Sequence, residues 1–518
     1  MEALRVENLR SLEDTGFIDL KPITLFLGKN SSGKSSFLRC MPLFRQSVEA
    51  QTTGPILWNG RFVDFGSFSE AVRLNNKKGY IGFSFRCTLS HQNKRNRVWF
   101  GKSGYGVGDI PVELSIKVCS DDNLDSSQIS EIGIRLFGEH YVHLTLNTSD
   151  SVSSFSVNNT AIPISNKRWI PRTQRYGMIP VIFGTERDVQ ELIMSPINRL
   201  LLRELIDEVK QHAHRNTKDQ TLISLVLGLK VNSSSAMLHQ MKNSSDWPDS
   251  LRERIKSWTV ESEAFVRIRD FIIASALPEI LIRLDDYLVE TATGSRYVAP
   301  VRATAERFYR VQNLAVDEVD FQGQNLALFM RNLTQNELRD FQYWMKTNFD
   351  VFPDVSSAGG HISLFLTEIG SEKKYNLADT GFGYSQVLPI LTQLWSLVSQ
   401  GAQAGKQRPQ VLTLTIEQPE LHLHPMMQAQ LADAFIKAVE TARHANINLR
   451  LMIETHSETF VNRIGNRIAK GDFSSKDVNV ILFEKKNPYD ATKIRSSGFD
   501  REGYLENWPV GFFEPRDL

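Results

Sequence analysis

The sequence predicts an α/β protein. A strand of its mixed sheet leads into a glycine-rich loop, and an antiparallel β lobe and a helical insertion complete the fold. Three observations predict this fold. An apolar run at 23–27 leads into a glycine-rich loop and then into a segment with the apolar spacing of a helix. Residues 56–165 contain runs that alternate polar and apolar side chains, as half-buried strands do. Residues 186–290 then space their apolar side chains as helices do.

The glycine-rich loop reads Gly28-Lys29-Asn30-Ser31-Ser32-Gly33-Lys34-Ser35 and fits the pattern G-x-x-x-x-G-K-[ST]. Its glycines allow successive backbone N–H groups to turn inward around an anion, and the following helix adds its positive end. We expect Lys34 to reach the β- and γ-phosphates of ATP and the Ser35 hydroxyl to ligate Mg²⁺. An ordinary Gly/Ser turn is the alternative. The residues of this segment predicted to contact the nucleotide are Gly28, Asn30, Ser31, Ser32, Gly33, Lys34, Ser35 and Ser36.

The core around this loop has two further predicted elements. The helix after the loop is expected to run to about Ala50, with a kink or an early stop at Pro42. Much later in the chain, the run at 361–366 is expected to form a strand of the same sheet as the loop.

Length and composition set the class of protein. With 518 residues, of which 41% are hydrophobic and 23% charged, the chain is expected to be a globular protein of several subdomains. We divide it into residues 1–165, 166–350 and 351–518. No apolar run reaches the roughly 18 residues that span a bilayer, and the first residues lack a signal-peptide core. We therefore expect a cytoplasmic protein without membrane contact.

Charged and metal-binding side chains give weaker signals. A net charge of +1 gives no global case for nucleic-acid binding, so DNA contact depends on local patches. The basic loop at 91–97 is one candidate, although we favour a solvated edge there. The segment 297–310 interleaves arginines with aromatics, and we favour structural ion pairs there over contacts with phosphates or bases. The three cysteines form no C-x-x-C pattern, so neither a disulfide framework nor a zinc site is indicated. His212 and His214 fall on different helix faces, which disfavours shared metal ligation.

A second group of candidate residues follows about 380 positions after the loop. The β-branched run 411–416 is typical of a buried strand and ends in Glu417-Gln418-Pro419-Glu420. A carboxylate at the carboxyl end of a central strand is positioned to hold Mg²⁺, so Glu417 is our predicted metal ligand. The next strand, 449–453, leads into Glu454-Thr455-His456, which places an imidazole at the same edge.

With these residues the chain resembles the ABC-type ATPase heads of the SMC, RecF and OLD group. Residues 417–425 match the Walker B and D-loop segment of that group, His456 its switch histidine and 379–386 its signature. Residues 8–11 resemble the segment that closes on adenine, which implies that Arg10 contacts the nucleotide. The resemblance implies an ATPase head that uses ATP and Mg²⁺. It also implies that the signature of one subunit contacts the nucleotide of another, which requires a homodimer or a higher even oligomer. The signature residues carried over are Gly381, Gly383, Ser385 and Gln386.

One departure from the family pattern concerns hydrolysis. The resemblance places the water-activating glutamate where this chain has Gln418, and a neutral amide cannot accept a proton from water. Glu420 replaces it, or His456 polarises the water, or hydrolysis is slow; we favour slow hydrolysis. The catalytic candidates are Glu417, Gln418, Glu420 and His456. The glutamine loop of the family has only Gln46, Gln51 and Asp64 as candidates.

Three further segments, 297–310, 323–327 and 503–513, are similar to a subgroup of bacterial ATPases of anti-phage operons, which includes the ATPase subunit of Septu systems shared by some retrons. That similarity implies a sensor and regulatory subunit that controls a separately encoded HNH-type nuclease through ATP-dependent dimerisation. In a retron, a reverse transcriptase and nucleic acid are implied as well. A RecF-like repair ATPase that acts as a DNA clamp is the alternative.

Two other functions are disfavoured. The chain ends about 60 residues after His456, which we interpret as too short for the nuclease domain of OLD proteins. The β lobe and the helical insertion disfavour an ATPase of a membrane transporter.

Overall fold

The structure is a computed structural model with a mixed α/β architecture. It describes residues 1–52, 54–73, 79–89, 109–121, 126–147, 151–163, 169–173, 176–183, 196–214, 217–244, 247–371, 373–403, 410–485, 487 and 490–507. The basic loop at 91–97 and the end of the similar segment 503–513 lie outside these residues. No helix within the described ranges is long and apolar enough to cross a membrane.

The chain forms two compact units. Unit 1 comprises Met1–Leu9, Ser47–Asn59 and Phe65–Glu290, and unit 2 comprises Arg10–Gln46, Gly60–Asp64 and Thr291–Leu518. The units differ from the three segments predicted from the sequence, since most of the helical insertion lies in unit 1 together with the β lobe.

The elements are numbered in chain order. The strands are β1 (Ala3–Leu9), β2 (Leu12–Asp14), β3 (Ile18–Asp19), β4 (Ile23–Gly28), β5 (Tyr80–Leu89), β6 (Ile110–Asp121), β7 (Ser126–Leu136), β8 (His140–Asn147), β9 (Ser151–Val157), β10 (Thr160–Ala161), β11 (Ile170–Thr173), β12 (Pro180–Phe183), β13 (Ser295–Val298), β14 (Tyr309–Arg310), β15 (Val351–Ala358), β16 (His361–Glu368), β17 (Lys374–Asn376), β18 (Gln410–Glu417), β19 (Ile447–Glu454), β20 (Val478–Glu484) and β21 (Lys493–Ser497). The helices are α1 (Lys34–Leu38), α2 (Cys40–Glu49), α3 (Phe68–Ala71), α4 (Pro196–Lys210), α5 (Asp219–Leu227), α6 (Ser234–Asn243), α7 (Asp249–Ser257), α8 (Glu263–Thr293), α9 (Leu326–Asn332), α10 (Gln335–Phe349), α11 (Phe382–Gln403), α12 (Pro425–His444) and α13 (Glu458–Ala469).

Unit 1 contains the predicted β lobe. Its strands pair antiparallel in the order β10-β9-β8-β7-β6-β5-β1, and the period-two pattern of the sequence buries alternate apolar side chains such as Val112, Leu114 and Ile116. The antiparallel lobe predicted from the sequence is therefore confirmed. The predicted helical insertion is present as α4 to α8.

Buried carboxylates attach the long helix α8 to the lobe. Asp270 is fully buried and accepts hydrogen bonds from Asn158 Nδ2 and Thr160 Oγ1, both at 2.7 Å. About four turns further along α8, Asp285 Oδ1 accepts from the backbone N–H groups of Met178 and Ile179 at 2.6 and 2.9 Å. The two bonds to Asp285 satisfy backbone N–H groups that burial would otherwise leave unpaired.

Replacing Asp285 with asparagine is expected to stabilise the protein above pH 6. Burial raises the pKa of Asp285 from 3.8 to about 6, although the two backbone N–H groups oppose that shift. Because the unfolded chain loses this proton first, the carboxyl costs stability as the pH rises from about 4 to 6, up to about 3 kcal/mol. Urea unfolding at pH 4 and pH 7 measures the free energy of unfolding. The decrease between these pH values should be smaller in Asp285→Asn than in the wild-type protein. The exposed Asp249→Asn serves as the control, and an unchanged pH dependence in Asp285→Asn would contradict the expectation.

Unit 2 is built on a second sheet with the order β13-β18-β19-β4-β20-β21, in which all pairs are parallel except β20 with β21. Every residue of β4 is buried, as the continuous apolar run 23–27 predicts. Helices α11 and α12 pack on this sheet, and α13 packs against α12. Since β4, β18 and β19 run in the same direction, their carboxyl ends at Gly28, Glu417 and Glu454 lie at one edge.

The predicted strand at 361–366 forms, but its assignment to the core sheet is wrong. It is β16, and it pairs antiparallel with β14, β15 and β17 in a separate sheet of unit 2. Its neighbour β15 is joined to it by a tight turn at Gly359-Gly360, both with positive φ. Such a turn pairs adjacent segments locally, and this local pairing replaces the expected return to the core sheet.

The helix after the phosphate loop is interrupted near Pro42. Helix α1 ends at Leu38 and α2 begins at Cys40, with Arg39 between them. Pro42 lacks the N–H that would bond to Leu38, so the continuous ladder cannot pass this point. The break turns the Arg39 side chain toward the carboxyl end of β18, where it becomes part of the site.

Candidate nucleotide site

The loop at 28–35 has a backbone that only glycine tolerates at two positions. Gly28 has φ +153°, and a Cβ there would lie 2.3 Å from the carbonyl oxygen of Phe483. Gly33 has φ +97°, and its Cβ would lie 2.6 Å from Ser11 Oγ. Both separations are far below contact distance. Steric crowding in this fold therefore explains why both positions of the motif are glycine.

Two side chains of the loop, Lys34 and Ser32, are buried. Lys34 is 3% exposed, and its Nζ donates to the carbonyl oxygens of Gly28 at 3.0 Å and Lys29 at 2.9 Å. Burial lowers the pKa of the Lys34 ammonium, and the charge of Glu454 opposes that shift. Ser32 Oγ is buried without a hydrogen-bond partner among the described residues. An ammonium group and an unpaired hydroxyl in a loop with this backbone fit a phosphate.

Ser35 contacts a carboxylate that the sequence reasoning did not single out. Its Oγ donates to Glu454 Oε2 at 2.7 Å, and Glu454 Oε1 lies 3.6 Å from Lys34 Nζ. Burial raises the pKa of Glu454, while the hydrogen bond from Ser35 and the charge of Lys34 oppose that shift. A hydroxyl and a carboxylate side by side are oxygen ligands that suit Mg²⁺. The residue set therefore fits a nucleotide with a divalent cation.

The predicted metal ligand Glu417 lies at the same edge of the sheet, but its hydrogen bonds are to Arg39 and Tyr297, whereas Ser35 bonds to Glu454. It is 2% exposed, and Arg39 donates to both its oxygens, from Nε at 2.7 Å and from a terminal nitrogen at 2.8 Å. The Tyr297 hydroxyl donates to Oε1 at 2.8 Å. The bond to Glu417 raises the pKa of Arg39, and burial together with the Glu417 charge raises that of Tyr297. In this arrangement Glu417 is already neutralised by a guanidinium.

The turn after Glu417 is held by buried donors. Gln418 has φ +46°, and its N–H donates to the carbonyl oxygen of Glu454 at 2.8 Å. Arg302 is buried, and its terminal nitrogens donate to the carbonyl oxygens of Glu417 at 3.4 Å and Gln418 at 3.3 Å. Burial lowers the pKa of Arg302 to about 10. This contact, together with the ion pair of Arg307 and Asp379, agrees with a structural role for segment 297–310.

Glu420 connects this turn to the predicted switch histidine. One oxygen accepts from Thr455 Oγ1 at 2.9 Å and the other from the backbone N–H of His456 at 2.7 Å. Burial raises the pKa of Glu420, and these bonds oppose the shift. His456 Nε2 is buried without a hydrogen-bond partner among the described residues, and burial followed by the charge of Lys34 lowers the pKa of the ring. Both oxygens of Glu420 are thus engaged in positioning the switch segment.

The four predicted signature residues differ in their exposure to solvent. Gly381 has φ +76° and is exposed, and Gly383 is half-buried at the start of α11. Ser385 is 4% exposed, and Gln386 is buried with its amide donating to the carbonyl oxygen of Arg302 at 3.3 Å. A hydroxyl this deeply buried is poorly placed to reach a second molecule. Thr380, immediately before Gly381, is half-buried, and its Oγ1 donates to the carbonyl oxygen of Leu377 at 2.8 Å.

The remaining predicted residues lie around the loop or away from it. Asn30 and Ser31 are exposed and Ser36 is half-buried, so the outer face of the loop is polar. Arg10 is exposed and donates at 3.5 Å to the carbonyl oxygen of Asp64.

Of the glutamine-loop candidates, Gln46 is buried and uses its side-chain amide in hydrogen bonds to the backbone. Its Oε1 accepts from the N–H groups of Phe62 and Val63, and its Nε2 donates to Val63 O at 3.1 Å. Gln51 is exposed and lies in unit 1. Within the described ranges no group of three or more His, Cys, Asp or Glu side chains is arranged to hold a metal, so a cation here needs phosphate or water ligands as well.

Comparison with known proteins identifies the family. The profile of the AAA ATPase domain matches residues 1–257 and 278–461. The chain belongs to the AAA ATPase domain family. An ATPase of this family binds a nucleotide together with a divalent metal ion, as the loop geometry indicates. The predicted α/β class of an ATPase with a mixed sheet, an antiparallel β lobe and a helical insertion is confirmed.

Solved structures of low sequence identity are similar to this member of the family. One is the Smc head domain of Pyrococcus furiosus with an extended coiled coil, bound to the C-terminal domain of ScpA. The two chains are 13% identical, the alignment covers 96% of this chain and 95% of the Smc chain, and the TM-score is 0.36. Another is the SMC head domain of Thermotoga maritima, with 9% identity, coverage of 95% and 97% and a TM-score of 0.31. No curated protein sequence matches the chain.

Proposed function

We propose that this ATPase is a regulatory subunit that binds ATP with Mg²⁺, hydrolyses it slowly and controls a separately encoded HNH-type nuclease of a cytoplasmic anti-phage complex. The nucleotide part rests on one observation above all. Lys34 is buried within the loop, the buried Ser32 hydroxyl of the same loop has no hydrogen-bond partner in the described part of the chain, and Ser35 is held by a carboxylate. When bound, Mg²⁺ would neutralise charge on the phosphates, with Ser35 as a ligand.

Slow hydrolysis is supported by the state of the carboxyl groups around the site. The side chain at 418 is an amide, which cannot accept a proton from water. Glu420 uses both oxygens to hold Thr455 and His456, and Glu417 is paired with Arg39. These existing bonds fix the orientation of both carboxylates, which limits how either one can approach a water molecule. ATP then acts chiefly as a ligand that selects a conformational state.

The regulatory role depends on a second copy of the chain. Gly381 and Gly383 lie at the start of α11, and the exposed backbone at Gly381 suits a contact in trans. Two ATP molecules held between two heads would favour the closed pair, and hydrolysis or exchange would release it. The similarity of segments 297–310, 323–327 and 503–513 to the ATPases of Septu systems and retrons supports a nuclease, and in a retron also a reverse transcriptase and nucleic acid, as partners.

The test is purification of the chain together with the products of the adjacent genes. Light scattering with ATP and Mg²⁺ should show an even oligomer that dissociates when the nucleotide is removed, and an HNH-type nuclease should co-purify. Tight, salt-sensitive DNA binding by the ATP-bound dimer alone would favour the DNA-clamp function instead. A chain that neither binds ATP nor self-associates would refute the proposal.

A further inference from the structure

Two glutamates end neighbouring parallel strands at the nucleotide edge of the sheet. Glu417 ends β18, Glu454 ends β19, and the two residues are directly paired in register. The strand order places β19 between β18 and the loop strand β4. Adjacent strands are about 4.8 Å apart, so Glu454 is one strand spacing from the loop and Glu417 is two. The strand order alone therefore brings Glu454 closer to Ser35.

The contacts agree with that order. Ser35 Oγ lies 2.7 Å from Glu454 Oε2, and Lys34 Nζ lies 3.6 Å from Glu454 Oε1. Two ligands of an octahedral Mg²⁺, each about 2.1 Å from the metal at a right angle, are about 3 Å apart. The two oxygens of Ser35 and Glu454 already have nearly this separation.

Glu417 has the opposite surroundings. Its two oxygens receive three hydrogen bonds, two from Arg39 and one from Tyr297. A bidentate guanidinium is a strong partner for a carboxylate that is 2% exposed. Ligation of a metal by Glu417 would require breaking its bonds with Arg39, whose side chain is 33% exposed, and with the buried hydroxyl of Tyr297, which would lose its acceptor.

We infer that Glu454, and not Glu417, is the carboxylate of this chain that holds the divalent cation together with Ser35. Glu417 is a positioning residue whose pair with Arg39 fixes the end of β18 and the turn that follows. The inference rests on the proposed nucleotide binding and deepens it. It assigns the metal-facing role to the residue immediately before the switch segment Thr455-His456.

The experiment compares the ATP affinity of the full-length protein in Mg²⁺ and in EDTA. The variants are Glu454→Gln and Glu417→Gln, with Glu458→Gln as a matched control on an exposed side chain four residues from Glu454. The readout is the ratio of the two dissociation constants for a fluorescent ATP analogue. Bound Mn²⁺, measured by electron paramagnetic resonance in the presence of ADP, is a second readout that needs no hydrolysis.

In the wild-type protein and in Glu458→Gln, Mg²⁺ is expected to strengthen binding about tenfold or more. In Glu454→Gln the ratio should fall close to one and the bound Mn²⁺ should be lost. In Glu417→Gln the ratio should persist, even where both affinities are lower. If Glu454→Gln does not fold, Glu454→Asp keeps the charge but withdraws it from Ser35, and its ratio should lie between those of the wild-type protein and one.

Two results would overturn the inference while leaving the proposed function intact. One is a ratio that collapses in Glu417→Gln and persists in Glu454→Gln, and the other is a ratio that neither substitution changes. A wild-type protein that binds ATP under neither condition would overturn both the inference and the proposed function.

Discussion

Replacing Lys34 with methionine is expected to weaken ATP binding roughly 100-fold or more, because a buried cation that faces the phosphates is lost. Lys34 Nζ now donates to Gly28 O and Lys29 O, two acceptors that a phosphate can replace. Methionine keeps the length and the apolar stem of the side chain, so the loop should retain its shape. Equilibrium titration with a fluorescent ATP analogue measures the effect.

The matched control for this change is Lys470→Met, which removes an exposed lysine of unit 2 from the end of α13. It should leave the ATP affinity unchanged. Thermal unfolding of both variants shows whether the loss is local to the site. ATP affinity in Lys34→Met within a factor of about three of the wild-type value would contradict the assignment of this loop.

Replacing Gly28 with alanine is expected to abolish ATP binding and to destabilise unit 2 by about 3 kcal/mol or more. The new Cβ would lie 2.3 Å from the carbonyl oxygen of Phe483, which is the register partner of Gly28 on β20. Both atoms belong to backbone in the core sheet, so relief requires β4 and β20 to separate. Movement of β4 displaces the loop that follows it.

The control for this steric argument is Gly498→Ala. Gly498 has no positive φ, and a Cβ there would have no neighbour within 4 Å. Chemical denaturation of the two variants should therefore show a large loss for Gly28→Ala and almost none for Gly498→Ala. Equal stability of Gly28→Ala and the wild-type protein would mean that the backbone at this position differs from the one described.

The phosphate loop could be predicted from the sequence because its determinants are local. Strand, glycines, Lys34 and the helix start lie within a few residues of one another, and each has its own steric or electrostatic reason. The position of Glu417 at the same edge was predictable for a similar reason, since a buried run ending in a carboxylate indicates the end of a central strand. Both parts of the site are where the sequence places them.

The contacts between these parts could not be predicted. Ser35 and Glu454 are 419 residues apart, and Arg39 and Glu417 are 378 apart. Which glutamate faces Ser35 depends on β19 lying between β18 and β4, and the sequence contains no signal for that order. The error at β16 has the same origin, because a strand pattern shows that a strand forms but does not show with which sheet it pairs.

The burial of Ser385 illustrates a smaller gap. The sequence placed a helix after the signature, and α11 does begin there, at Phe382. Whether a residue of its first turn faces the solvent or the core depends on the rotation of the helix, which tertiary packing decides. Ser385 and Gln386 face inward, whereas Gly381, just before the helix, is exposed.

The central claim is that this chain holds ATP and a divalent cation in the loop at 28–35. The most direct measurement is isothermal titration of the full-length protein with ATP in the presence of Mg²⁺. The predicted result is saturable binding of one nucleotide per chain at sub-millimolar concentration, which Lys34→Met removes and Lys470→Met preserves. An absence of saturable binding by the wild-type protein, or equal binding by Lys34→Met, would contradict the account.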